Sequence, residues 1–210
     1  MLRDSVTGAQ LILADGMGVV WASRLVGDPV PERVTGIDLF EALLGLAASR
    51  GFSVYLLGAR GDVLADAIER ARERFPGLRI AGSRDGYFSD AEAPEVAAAI
   101  SRARPDFLFV AITSPKKEIF LARYGAIMGV SVLHGVGGSF DVLGGRVRRA
   151  PRIWQKFGVE WLYRVLQEPA RMWRRYLVSN TMFLGLLARE VVRRRVIQRF
   201  WIEERRGPLS

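Results

Sequence analysis

Residues 52–59 read FSVYLLGA, a short and nearly continuous apolar run that ends at a glycine. Behind it, residues 63–77 read VLADAIERARERFPG, with apolar positions three and four apart. A strand that is apolar on both sides, followed at once by an amphipathic helix, is one unit of a parallel sheet covered on both faces. The pair recurs downstream. LRIAGS (78–83) precedes EAPEVAAAISRARP (92–105), DFLFVAIT (106–113) precedes SPKKEIFLARYGAIMG (114–129), and VSVLHGVGG (130–138) reads as a last strand. Upstream, LILAD (11–15) reads as a strand, with helices expected through VVWASRLVG (19–27) and DLFEALLGLAASRG (38–51). The fold class is therefore α/β: a three-layer, Rossmann-like, mostly parallel sheet with helices on both faces. Ligands of such folds sit outside the carboxyl ends of the strands. ADGMG, GARGD, GSRDGYF, TSPKKE and GVGGSFD are all expected there.

Around RVRRAPRIWQKFG (146–158) the pattern changes. Arginines and large apolar residues interleave at helical spacing, as in WLYRVLQEPARMWRRYL (161–177), and strand signals end. This places an α/β domain at 1–150 and a basic helical appendage at 151–210. The formal net charge is +9, carried entirely by the appendage side: residues 146–210 hold 16 basic and 5 acidic residues, against 15 and 17 before them. Such asymmetry points to a polyanion, either a phosphorylated substrate, an anionic membrane surface or nucleic acid. No helix-turn-helix, zinc-finger or RNA-binding sheet motif supports nucleic acid, so none is expected as a partner. Tryptophan interleaved with arginine suits a bilayer interface. The most apolar late segment, YLVSNTMFLGLLA (176–188), is too short and too broken to span a bilayer. The opening MLRDSVTGAQ has no apolar h-region.

There is no cysteine and one histidine, His134. Thiolate metal sites, multi-histidine metal sites and a cysteine nucleophile are excluded, and no metal or cofactor is expected. Asp15 has two readings: the cap of the helix behind it, or a general base at a strand end with Gly16 and Gly18 allowing close approach. GVGGSFD (135–141) can aim backbone N–H groups at phosphate through Gly137 and Gly138, or be a plain turn. In TSPKKE (113–118), Ser114 reads as N-cap and Pro115 as the first helical residue, with Lys117 at N3 opposing the helix dipole. An anion at that loop would offset the cost. His134 reads as a ligand contact or a satisfied imidazole, Arg33 as a phosphate contact or a surface cation, and Asp38 as a cap or first-turn acid. Arg164, Arg171 and Arg174 share a helical face if the helix continues through Pro169.

Together, ADGMGVVWASRLVG (14–27), ERVTGIDL (32–39), GYF (86–88), PDFLFVAITSPKKE (105–118) and the long run GVGGSFDVLGGRVRRAPRIWQKFGVEWLYRVLQEPARMWRRYL (135–177) resemble a known family. It is the bacterial N-acetylmannosaminyltransferases of wall teichoic acid, enterobacterial common antigen and exopolysaccharide synthesis. The resemblance implies inverting, metal-independent transfer of an amino-sugar from a UDP-sugar to a polyprenyl-diphosphate-linked sugar. Asp15 would be the general base and Arg33 an anion contact. Ser114, Lys117, Gly137 and Gly138 would line the substrate site, and Arg164, Arg171 and Arg174 would steady a diphosphate. It also implies a peripheral place on the inner face of the cell membrane; a homo-oligomer stays open. The family pattern has one or two further strands and a Thr-x-Asn motif ahead of the aspartate, where 14 residues stand here. It also has glutamine at the position of Lys117. Those two departures keep a second reading open: a sugar-nucleotide-binding or membrane-docked relic of that family.

Overall fold

A computed structural model describes residues 9–167 and 169–205; within that range the side chains at 156, 164, 171, 172, 175 and 195–205 lie outside the described residues. The chain divides into two compact units. One contains residues 34–149 and the described residues before Ala14; the other contains Ala14–Arg33 and the chain from Ala150 onward.

In the first unit, β1 (Ser53–Gly58), β2 (Arg79–Arg84), β3 (Phe107–Ala111) and β4 (Val132–Gly135) form a four-stranded sheet in the order β2-β1-β3-β4. Every neighbouring pair is parallel. The strand alternation sorts the core. Val54, Leu56, Phe107 and Phe109 point to one face, where they pack with Phe40, Leu44, Leu64, Ala67 and Phe140. Tyr55, Leu57, Leu108 and Val110 point to the other, against Val96, Ile100, Phe120, Tyr124 and Met128. Period-2 side-chain direction thus gives two helical layers on one sheet, the three-layer α/β architecture expected.

Helices α2 (Gly36–Arg50), α3 (Gly61–Arg74), α4 (Ala93–Ala103) and α5 (Lys116–Met128) connect and cover the strands, and a one-turn helix α6 (Ser139–Leu143) follows β4. Their ends obey local chemistry. The Thr35 hydroxyl accepts from the Asp38 amide at 3.1 Å, and Gly51 closes α2 at φ 72°. Asp106 accepts from both the amide and the hydroxyl of Ser53, at 2.7 and 2.9 Å, which joins the starts of β1 and β3. These bonds hold its carboxyl below the usual aspartate range, against a smaller opposing effect of burial. Because β2 and β3 follow β1 on opposite sides, the chain reverses direction of travel at the carboxyl ends of β1 and β3. In an open parallel sheet that is where a ligand crevice forms.

The second unit is helical: α1 (Met17–Leu25), α7 (Arg152–Lys156), α8 (Glu160–Gln167) and α9 (Pro169–Arg205). Gly158 lets the link after α7 touch α1, since a Cβ there would lie 2.5 Å from that of Met17. Trp154 stacks edge-on with Tyr163, Trp161 leans on Tyr176, and the Arg194 guanidinium donates to the Val26 carbonyl at 2.7 Å. The sequence places one division near residue 150. Packing adds a second, because Ala14–Arg33 joins the helices that begin after Arg149. LILAD is also not a strand. Leu11 and Ile12 are 69% and 64% exposed, and no ladder pairs them. An apolar run becomes a strand only where another strand offers its hydrogen-bonding edge. Among the described residues, no helix is long and apolar enough to cross a membrane.

Candidate functional site

The candidate residues form two groups, each inside one unit. In the α/β unit they gather at the carboxyl ends of β1, β3 and β4. The GARGD turn follows β1, with Gly58 at φ 128° and the Ala59 amide donating to the Ala111 carbonyl at 3.0 Å. Arg60, Asp62 and Arg146 then pair among themselves at 2.6 and 2.7 Å on the surface.

The TSPKKE loop follows β3. Helix α5 begins at Lys116, with Pro115 in the cap position and no side-chain cap bond. The expectation of Ser114 as N-cap and Pro115 as the first helical residue is therefore corrected by one position. Pro115 takes a bridge-region backbone at φ −90°, ψ 0°, and has no side-chain acceptor to offer the following amides. The shift moves Lys117 to N2 and Glu118 to N3, so the first turn carries an acid that suits the helix dipole. Lys117 Nζ sits 3.1 Å from Glu118 Oε1, and both side chains are less than one-fifth exposed. Burial alone would raise the Glu118 carboxyl. Its own amide and the Lys117 and Ser114 side chains outweigh that and hold it below the ordinary value. Lys116 points elsewhere: its ammonium donates to the Phe88 carbonyl and lies 4.2 Å over the Phe88 ring.

The glycine turn after β4 comes next to Lys117. A Cβ on Gly135 would meet Cδ and Cε of Lys117 at 2.8 Å, so the bare glycine makes room for the lysine stem. Gly137 adopts φ 53° and Gly138 caps α6. His134 Nε2 lies 3.2 Å from the Gly36 carbonyl and packs edge-on to Phe109. Its imidazole thus has a structural partner, the second of its two readings. Ser114, Lys117, Gly137 and Gly138 therefore share one end of the sheet, as expected of strand-end residues.

In the helical unit, Asp15 lies one residue before the cap of α1, which is Gly16, and that cap has no side-chain bond. Asp15 thus precedes the cap position of α1 rather than occupying it. Its carbonyl accepts from Arg33 Nε at 2.7 Å. Arg33 Nη1 donates to the Gln155 carbonyl at 3.0 Å, and Nη2 reaches Glu160 Oε2 at 2.6 Å. The Arg33 and Glu160 side chains are 15% and 14% exposed. At least three of the five guanidinium N–H groups are thus engaged by protein, a different use from the anion contact that the resemblance implies. Glu160 was not singled out from sequence; its signal was an acid inside the otherwise apolar and basic GVEWLYR run. Arg174 is exposed on α9, and the side chains of Arg164 and Arg171 lie outside the described residues. Asp38 pairs with Arg149 at 2.5 Å in the α/β unit. Among the described residues, no three His, Asp or Glu side chains gather as metal ligands.

Residues 1–197 match the model of the Glycosyl transferase WecG/TagA/CpsF family. The chain is 45% identical over 172 residues to an N-acetylglucosaminyldiphosphoundecaprenol N-acetyl-beta-D-mannosaminyltransferase of Bacillus spizizenii, covering 82% of this chain and 66% of that protein. It is 38% identical over 187 residues to the protein of the same name from Bacillus subtilis, covering 89% and 72%. The chain thus spans about two thirds of the length of the curated relatives it matches.

Proposed function

Because the chain belongs to the WecG/TagA/CpsF family of glycosyl transferases, we propose that it moves N-acetylmannosamine, or a related amino-sugar or uronic acid, from a UDP-sugar to a polyprenyl-diphosphate-linked sugar. The observation that carries this reading is the family match over residues 1–197, a span that encloses the Asp15 turn, the TSPKKE loop, the glycine turn and most of the helical unit. The names of the two relatives supply the sugar and the lipid diphosphate.

In the proposed step, the acceptor hydroxyl attacks the anomeric carbon on the face opposite UDP. The new C–O bond forms as the bond to the β-phosphate oxygen breaks, the configuration inverts, and the hydroxyl proton passes to the Asp15 carboxylate. UDP leaves with the bonding pair. The Lys117 ammonium, the amides around Gly137 and Gly138, and Ser114 are the proposed contacts for charge on the departing diphosphate. Arg164, Arg171 and Arg174 are the proposed contacts for the diphosphate of donor or acceptor.

Exposed Trp173, Leu177, Val178 and Met182 on α9, set among arginines, support docking on an anionic membrane from its inner face. Flotation with anionic and neutral vesicles tests this part. Trp173→Ser with Leu177→Ser is expected to reduce binding to anionic vesicles, and equal binding would dismiss the surface.

Turnover of UDP-N-acetylmannosamine with a short-chain polyprenyl-diphosphate N-acetylglucosamine tests the reaction. Asp15→Ala is expected to lose about 100-fold or more in rate while keeping the wild-type melting temperature. A full rate in that variant removes Asp15 from the base role. UDP binding without turnover by the wild-type chain favours the sugar-nucleotide-binding relic.

A further inference from the structure

A base must hold its position to within a fraction of an ångström of the productive geometry. The backbone around Asp15 does little to ensure that. Gly16 follows it directly and has nothing within 4 Å of where a side chain would begin, and Gly18 stands one turn on. Gly18 is held inside α1 and the Gly16 carbonyl accepts from the Val19 amide at 3.0 Å, so the flexible unit is the Asp15–Gly16 peptide ahead of the first helical bond. The Arg33 guanidinium restrains that peptide. Nε fixes the Asp15 carbonyl, Nη1 the end of α7, and Nη2 the Glu160 carboxylate at the first turn of α8.

A half-buried ion pair is a weak means of stabilising a fold, since removing two charges from water offsets most of their attraction. A pair only 15% and 14% exposed, beside the Asp15–Gly16 turn, is better explained by orientation. We infer that Glu160 is a positioning residue for the general base: it aims Arg33, and Arg33 holds the Asp15 turn. This rests on the assignment of Asp15 as base. Glu160 has no direct part in proton transfer; it acts through a guanidinium and a main-chain carbonyl.

The test is steady-state turnover of the full chain with UDP-N-acetylmannosamine and the short-chain acceptor, alongside thermal melting. Glu160→Ala is expected to lower kcat at least tenfold with donor KM within twofold of wild type. Glu160→Gln retains an amide oxygen for Nη2 and is expected to lose less. The discriminating measurement is made on the Asp15→Asn background. If Glu160 acts only through Asp15, adding Glu160→Ala there lowers the residual rate by less than twofold. A wild-type kcat for Glu160→Ala overturns the inference, as does an equal loss on both backgrounds. Should Glu160→Ala fail to fold, the same comparison with Glu160→Gln decides. Full activity of Asp15→Asn alone overturns the base assignment. An inactive Asp15→Asn with a fully active Glu160→Ala leaves that assignment standing and removes only the positioning role.

Discussion

Gly58 ends β1 beside Ala111 of β3, at the point where the strand order reverses. Replacing it by alanine attacks the sheet there in two ways. Its φ of 128° is one that L side chains rarely adopt, a strain of about 1–3 kcal/mol. The new Cβ would also lie 2.5 Å from the carbonyl carbon and oxygen of Ala111. Neither atom belongs to a flexible side chain, so the strands must part by roughly half an ångström or more. That opens the bond from the Ala59 amide to the Ala111 oxygen, 3.0 Å long in the native chain. A disrupted bond at such a place costs a further ~1–3 kcal/mol. The sum, about 2–6 kcal/mol, is a large share of the ~5–15 kcal/mol that holds a typical domain together. At roughly 2–4 °C per kcal/mol for a chain of this size, melting should fall by about 4–24 °C. Gly61→Ala is the control. It sits three residues on, at the first position of α3, with nothing within 4 Å of the added carbon. Alanine there should be neutral or stabilise by a few tenths of a kcal/mol, up to about 1. Thermal denaturation followed by circular dichroism reads both. Melting of Gly58→Ala within 2 °C or so of wild type would refute the argument from close approach.

Three other perturbations follow from packing, capping and charge. Phe40 is fully buried, with its ring 4.8 Å from that of Phe109 and 5.8 Å from that of Phe140; Phe40→Ala should cost about 3–5 kcal/mol in urea unfolding, and a cost under 1 kcal/mol would mean the core collapses around the gap. Thr35→Ala removes the cap of α2 and should cost about 0.5–2 kcal/mol, most of it recovered by Thr35→Ser; equal losses in both would show that the hydroxyl is not what matters. Hydrogen bonds from Arg193, then Arg194, draw the Glu190 carboxyl down to about 2. Its folded value is depressed, so its contribution to α9 is complete above the ordinary glutamate range and disappears as pH falls towards 2. Carboxyl-carbon NMR should show that titration, and a midpoint at or above 4 would contradict the pairing.

The α/β body was legible because its signal is periodic and local. FSVYLLGA and DFLFVAIT alternate between two apolar faces, and Val54 and Leu56 against Tyr55 and Leu57 show both faces used. LILAD carries the same composition and is not a strand, since composition says nothing about whether a neighbouring edge exists. Ser114 failed as a cap for a related reason. The side chain fits the job, but helix α5 starts one residue later than the Ser-Pro pattern implies, which puts Pro115 there instead.

The residues around the proposed base show where local reading stops. Arg33 viewed alone is a loop cation, and Glu160 viewed alone is a first-turn acid that suits its helix dipole. Each has an adequate local explanation, so neither asks for another. They stand 127 residues apart and meet at 2.6 Å, largely withdrawn from water. The appendage arginines make the last third of the chain look like a surface for polyanions, and that bias draws attention away from Glu160. A basic segment that keeps a half-buried glutamate is better searched for the cation that the glutamate holds than for one more phosphate contact. Here that search leads from Glu160 to Arg33 and on to the carbonyl of Asp15. The helical unit thereby gains a part in the proposed chemistry that its net charge does not reveal.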